Sequence, residues 1–120
     1  MNIKSVTVNG QTVAVIESET PIITDVQSAL DVMMTAKYEA GTSRLAIQKE
    51  ALAEDFFILS RGLAGEILQK FVNYGVTCAI FGDFSHYTSK PLRDFIRESN
   101  RGRTVFFTAD AQEAARRLTE

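Results

Sequence analysis

The stretch Phe56-Phe57-Ile58-Leu59-Ser60-Arg61-Gly62-Leu63-Ala64-Gly65 indicates how the chain enters its second helix. An apolar approach ends at a polar pair and a glycine, and apolar residues then recur at helical spacing: Leu63, Ile67, Leu68, Phe71 and Val72. Ser60 is a favoured N-cap residue, so the pattern predicts a helix with Arg61 in its first turn. A cation in the first turn is unfavourable by about 0.3–1 kcal/mol, because it lies at the positive end of the helix dipole. The presence of Arg61 there indicates a role other than helix stability.

On the N-terminal side of this helix, the pattern predicts a hairpin, a helix and a short strand. Residues 2–9 alternate between apolar and polar side chains, and Asn9-Gly10 is typical of a type I′ turn leading into a second strand. Thr24 and Asp25 then indicate a helix start, and Gly41 indicates its end. The buried stripe predicted for this helix is Val26, Ala29, Leu30, Met33 and Met34. A short strand at residues 44–48 follows.

On the C-terminal side, residues 76–81 are nearly all apolar, as expected of a central strand covered on both faces. Ser89 is a candidate cap for a third helix, with Pro91 tolerated in its first turn and Gly102 after it. Residues 105–107 predict the last strand and residues 110–118 the last helix.

This order, ββαβαβαβα, predicts an α/β fold in a single domain over residues 1–120. The sheet is expected to be small and mostly parallel, with about five strands, an N-terminal hairpin and four helices.

Composition argues against several classes of function. Thirteen basic and fifteen acidic side chains give a net charge of −2, so we expect neither a nucleic-acid partner nor an anionic membrane. The lone Cys78 cannot form an internal disulfide, so the sequence does not require an oxidising compartment. No apolar run approaches the roughly 20 residues of a membrane span. No leader peptide is visible at the N-terminus, so we expect a cytoplasmic protein.

Cations at two helix starts form the first candidate site. Arg61 lies at the predicted start of the second helix, and Lys90 and Arg93 at that of the third. Both helices follow adjacent parallel strands, so their N-termini are expected at one edge of the sheet, where such folds bind ligands. Cations beside free N–H groups favour an anion. The alternative is ordinary surface pairing with nearby carboxylates, namely Glu54, Asp55, Asp83 or Asp94.

The loop Asp83-Phe84-Ser85-His86-Tyr87-Thr88 is expected at the same edge and holds the only histidine. His86 would act as a general base if Asp83 oriented it, but a solvated loop histidine is the favoured interpretation. Cys78 lies mid-strand and is expected in the core, without a partner for a metal site. No glycine-rich phosphate-binding signature occurs. We therefore expect no catalytic residue, metal or cofactor.

Residues 57–63, Phe-Ile-Leu-Ser-Arg-Gly-Leu, resemble the Phe-Ile-Asp-Ser-Ser-Gly-Leu pattern of STAS-type domains, the fold of bacterial anti-sigma factor antagonists. Gly75 and Glu113-Ala114 extend the resemblance, which implies a STAS-like fold and a regulatory role through protein contacts. Two residues depart from the pattern. Leu59 replaces the aspartate, and Arg61 stands where antagonists are phosphorylated on serine, so a phosphoserine switch at that position is impossible.

The chain resembles a second family more tightly. Residues 62–71, Gly-Leu-Ala-Gly-Glu-Ile-Leu-Gln-Lys-Phe, and the later Gly-Asp-Phe-Ser and Tyr-Thr-Ser-Lys runs are similar to an uncharacterised bacterial family, domain of unknown function 4180. This resemblance implies no activity.

The first functional hypothesis is a non-enzymatic regulatory or interaction domain with a protein partner. The alternative is a domain that binds a small anion or metabolite at the N-termini of the second and third helices, and a small enzyme using His86 ranks below both. A homodimer stays open. The candidate binding residues are Ser60, Arg61, Asp83, Ser85, His86, Tyr87, Lys90 and Arg93.

Overall fold

The computed structural model describes all 120 residues and confirms the predicted α/β fold. The strands are β1 (Asn2–Val8), β2 (Gln11–Glu17), β3 (Arg44–Gln48), β4 (Thr77–Phe81) and β5 (Val105–Thr108). The helices are α1 (Val26–Ala40), α2 (Leu63–Asn73), α3 (Lys90–Arg101) and α4 (Ala111–Leu118). Three short 3₁₀ turns lie between β3 and α2, at Lys49–Ala51, Glu54–Phe57 and Leu59–Arg61.

The five strands form one sheet in the order of the chain, β1-β2-β3-β4-β5. β1 and β2 are antiparallel, and the other pairs are parallel, with Ile47 opposite Ile80 in the centre. The strand order never reverses, so the carboxyl edge has no crevice between diverging connections of the kind that open doubly wound sheets use. A binding site at this edge must instead be built by its loops.

The two faces of the sheet are covered unequally. α1, α2 and α3 pack on one face, where 23 buried residues, among them Ile16, Leu45 and Ile80, form the larger core. α4 alone covers the other face and closes a smaller core of nine buried residues. The alternation of side chains along each strand supplies both cores, because neighbouring residues point to opposite faces.

Both ends of α1 and the start of α3 follow the predicted capping residues. Asp25 is the N-cap of α1, where its Oδ1 accepts a hydrogen bond from the Ser28 backbone N–H at 2.7 Å, and Gly41 ends the helix with φ 67°. Ser89 caps α3 in the same way. The predicted burial of two residues in the helical stripes is wrong: Met34 is 61% exposed and Val72 is 48% exposed. Each directly follows a buried residue, about 100° further round its helix, and points to water.

Acidification is expected to remove the stability that Asp25 contributes. Hydrogen bonds from Ser28 hold the pKa of Asp25 below its usual value, so the carboxylate stabilises the fold above that value and loses this effect as pH falls through the lowered pKa. Asparagine also caps helices but does not titrate. As pH falls from about 5 to about 2, the free energy of unfolding of wild type should therefore decrease relative to that of Asp25→Asn. Urea unfolding of both proteins measures this difference. A difference between the two proteins that stays constant with pH contradicts this prediction.

The hairpin turn is confirmed, since Asn9 and Gly10 have φ values of 54° and 75°. Gly10→Val is expected to lower the free energy of unfolding by more than about 1 kcal/mol, because a β-branched residue is strained at positive φ. A Cβ at Gly10 meets no atom within 4 Å, so the loss reports backbone strain alone.

The matched control is Gly65→Ala within α2, where a Cβ is equally uncrowded. Because alanine favours helix, this variant is expected to gain about 0.5–1 kcal/mol. Equal stabilities of Gly10→Val and wild type in urea denaturation would mean that the turn does not hold its positive φ.

Candidate functional site

Two connections build the carboxyl edge of the sheet near the predicted site. The first runs from Lys49 to Arg61 through the three 3₁₀ turns, and the second is the loop from Gly82 to Ser89 between β4 and α3. The first connection is hydrogen-bonded to the segment that precedes α1. The Ala51 carbonyl accepts hydrogen bonds from the backbone N–H groups of Ile22 and Ile23, both at 2.9 Å. The edge is therefore rigidly attached to the larger core.

Aromatic rings hold the two connections together. The Tyr87 ring stacks on the buried Phe57 ring with centroids 5.1 Å apart, and Phe84 meets Phe107 edge-on at 5.5 Å. His86 lies against the outer side of this cluster, its ring 4.2 Å from that of Tyr87. These contacts fix the loop that carries His86 while its imidazole stays exposed.

A groove of about 370 Å³ lies between the two connections, and we call it the C-edge groove. Its lining is Glu54, Phe57, Ile58, Leu59, Ser60, His86, Tyr87, Thr88, Ser89, Pro91 and Leu92. Of the predicted site residues, Ser60, His86 and Tyr87 line this groove. Arg61, Asp83, Ser85, Lys90 and Arg93 lie outside its lining.

The predicted helix start at Ser60 and Arg61 is wrong. Both residues belong to the 3₁₀ turn Leu59–Arg61, and the N-cap of α2 is Gly62, with φ 82° and no side-chain cap. The left-handed glycine separates the two turns, so Arg61 lies before the helix and not in its first turn. Its guanidinium is 3.9 Å from the carboxylate of Asp55, and both side chains are more than half exposed.

Lys90 and Arg93 do lie in the first turn of α3. The Lys90 ammonium lies 2.6 Å from the carboxylate of Asp94, and the hydrogen bond and charge of Lys90, with a smaller contribution from Arg97, lower the pKa of that carboxyl. Arg93 is exposed and has no ion pair. Two of the three predicted cations thus pair with surface carboxylates, as the alternative interpretation held.

Asp83 orients its own loop. Its Oδ1 accepts a hydrogen bond from the Ser85 backbone N–H at 2.9 Å. Hydrogen bonds from Ser85, more than the nearby His86, hold the pKa of Asp83 below its usual range. The carboxylate forms no hydrogen bond with His86, so the orientation that a general base needs is not supplied by Asp83 in this structure.

Sequence analysis missed Lys49, the most enclosed cation at this edge. Its side chain is only 13% exposed, and its ammonium lies 5.1 Å from the centroid of the Tyr87 ring, within cation–π range. The Tyr87 hydroxyl donates to Glu54 at 3.3 Å, and burial together with that carboxylate raises the pKa of Tyr87. The available signal was a lysine directly after a buried strand.

Cys78 lies in the core as predicted, 1% exposed, and burial raises the pKa of its thiol to about 12. No three His, Cys, Asp or Glu side chains are grouped so that they would hold a metal ion. None of the four helices has the length and apolar character that crossing a bilayer requires.

Comparison with known proteins gives one match. The model of a family described as "Domain of unknown function (DUF4180)" matches residues 8–118. No curated protein and no solved structure matches the chain. Since the match covers β2 to α4 and the turn that precedes them, the chain belongs to the DUF4180 family of domains of unknown function.

Proposed function

We propose that this chain is a non-enzymatic interaction domain that contacts a protein partner through the C-edge groove. The observation that carries the proposal is the exposed apolar surface within a polar rim. Ile58 is 40% exposed beside Leu59 and Pro91, while Glu54 and His86 border them. An apolar centre with a polar border is the usual composition of a protein contact surface.

The wider proposal is that the chain is a regulatory domain of the bacterial cytoplasm and is related to STAS-type domains. The element order ββαβαβαβα, which the resemblance to STAS-type domains implies, supports this relationship. The single buried cysteine is compatible with a reducing compartment. Because Arg61 replaces the phosphorylated serine of the antagonists, contact would be governed by partner concentration and not by phosphorylation at this residue.

The anion-binding alternative at the starts of α2 and α3 stays a prediction. Its support is Arg93, which is exposed and free of ion pairs. Pairing of Arg61 with Asp55 and of Lys90 with Asp94 favours the protein contact over this alternative. An enzyme using His86 stays the third hypothesis, since that histidine has no hydrogen bond to Asp83.

Site-specific photo-crosslinking in the native host tests the proposal. A benzoyl-phenylalanine at Ile58 is expected to give one discrete adduct, whereas the same group at Val72 gives none. Val72 is a matched control because it is similarly exposed, 48% against 40%, on the outside of α2. Glu54→Lys, which reverses the charge of the rim, should reduce the adduct from Ile58.

The mass of the adduct identifies the kind of partner. A mass of twice the chain indicates a homodimer through this groove, and any other discrete mass indicates a different protein. Equal adducts from Ile58 and Val72, or none from Ile58, would contradict the proposed contact surface.

A further inference from the structure

A polar depression lies at the opposite edge of the sheet from the C-edge groove, where the parallel strands begin. It consists of two adjoining cavities of about 710 and 370 Å³, which share Thr77, Arg103, Leu118 and Glu120. The loops that precede β3, β4 and β5 form its floor, and the end of α4 forms one wall. We call this depression the N-edge groove.

Two arginines of the N-edge groove have no acidic partner. Arg44 begins β3 and is half-buried, and Arg103 lies exposed on the loop before β5. None of the nine ion pairs of the chain includes either residue. The only side-chain hydrogen bond of Arg44 is a long one, 3.5 Å from Nη1 to the carbonyl of Thr12.

The one carboxylate side chain in the groove is already neutralised. Glu120 lies 2.8 Å from the guanidinium of Arg116 and 3.3 Å from that of Arg117. Arg117 is further held by a hydrogen bond to the Asn100 carbonyl at 2.8 Å and by the Phe106 ring, 4.3 Å away. Among the charged side chains that line the groove, those without an oppositely charged partner are therefore Arg44 and Arg103.

The backbone beneath Arg44 is held in place. The buried Thr42 hydroxyl donates to the Thr12 carbonyl at 2.7 Å and accepts from the Arg44 backbone N–H at 3.1 Å. The Thr77 N–H donates to the Ser43 carbonyl at 3.0 Å, and Thr77 pairs with Arg44 in the register of β3 and β4. A site on this framework loses little entropy when a ligand binds.

We propose that the N-edge groove binds a small phosphate monoester, with its phosphate between Arg44 and Arg103. A phosphate monoester carries nearly two negative charges at neutral pH, which match the two unpaired guanidinium groups. Guanidinium forks bind phosphate oxygens in pairs, and the hydroxyls of Ser43 and Thr77 at the groove are further donors. The larger cavity, about 710 Å³, exceeds the needs of a bare phosphate ion and leaves room for the organic part.

This inference is independent of the proposed protein contact, which lies at the other end of the strands. It also assigns an anion to a different edge from the one that the sequence predicted. There, Arg61 and Lys90 are compensated by Asp55 and Asp94, whereas here the arginines are not.

The test is a titration of the full chain, labelled with ¹⁵N, with phenyl phosphate as the probe. Backbone amide shifts are expected at Ser43, Thr77 and Arg103 and not in the loop from Gly82 to Ser89. Arg103→Gln and Arg44→Gln should each weaken binding about tenfold or more, since each removes a charged hydrogen-bond donor. Binding should also weaken as pH falls through about 6, where the monoester loses its second charge.

Arg97→Gln is the control, because Arg97 is an exposed arginine on α3 outside the lining of both grooves; it should bind like wild type. Arg103 is exposed on a loop, so its variant keeps the test decisive if Arg44→Gln does not fold. Wild-type affinity in Arg103→Gln, or amide shifts confined to the carboxyl edge, would overturn the proposal. Inorganic phosphate binding as tightly as phenyl phosphate would also overturn it, because the groove would then hold an adventitious ion only.

Discussion

Replacing Phe56 with alanine is expected to lower the free energy of unfolding by about 3–5 kcal/mol. The ring is 2% exposed and meets Phe57 edge-on at 5.1 Å, although it belongs to a 3₁₀ turn and not to a helix or strand. Its removal leaves a cavity in the larger core that the short turn, held at both ends, cannot fill. Urea denaturation followed by circular dichroism measures the loss.

Tyr38→Ala is the control for Phe56→Ala. Tyr38 is also aromatic but is 91% exposed on α1, so its removal should change stability by less than about 0.5 kcal/mol. If Phe56→Ala were as stable as Tyr38→Ala, the segment from Lys49 to Arg61 would not be packed on the core, and the C-edge groove would lose its support.

Gly82→Ala is expected to cost about 3 kcal/mol or more. Gly82 has φ 155°, which side chains rarely adopt, and a Cβ there would lie 2.8 Å from the Cβ of Lys49. Backbone strain of about 1–3 kcal/mol adds to overpacking of similar size. Thermal and urea unfolding of the variant measure the sum.

A double-mutant cycle separates the two contributions to Gly82→Ala. Lys49→Ala keeps the Cβ that clashes, so in that background Gly82→Ala should cost about as much as in wild type. Lys49→Gly removes that Cβ, so there only the backbone strain should remain. Full rescue by Lys49→Ala would show that the outer part of the lysine side chain, and not its Cβ, is the obstacle.

Local rules predicted most of the fold because most element boundaries in this chain are local. The Asn9-Gly10 turn, the helix start at Asp25 and the helix end at Gly41 each depend on a few adjacent residues, and the structure confirms all three. Periodicity does not specify which face of the sheet a terminal helix covers, so the separate position of α4 was not predictable. Met34 shows the same limit, since periodicity alone does not specify how wide the buried face of α1 is, and Met34 lies just beyond it.

The candidate site was less predictable because it depends on contacts distant in the chain. The 3₁₀ turn Leu59–Arg61 interrupts what reads as a continuous approach to α2, and Gly62 then begins the helix. Enclosure of Lys49 depends on Gly82 and Tyr87, more than 30 residues further along. Likewise, the lack of partners for Arg44 and Arg103 emerges only when every carboxylate has been located in space.

Because α4 alone covers one face of the sheet, that face stays uncovered during synthesis until α4 has left the ribosome. Synthesis proceeds from the N-terminus at about 5–20 residues per second, so residues 111–118 emerge after all five strands. Until then, one side of the sheet is bare and apolar: Val13, Val15, Ala46, Ala79, Phe81 and Phe106. A nascent chain that stalls in this interval exposes a surface prone to aggregation and attractive to chaperones, and the docking of α4 removes it.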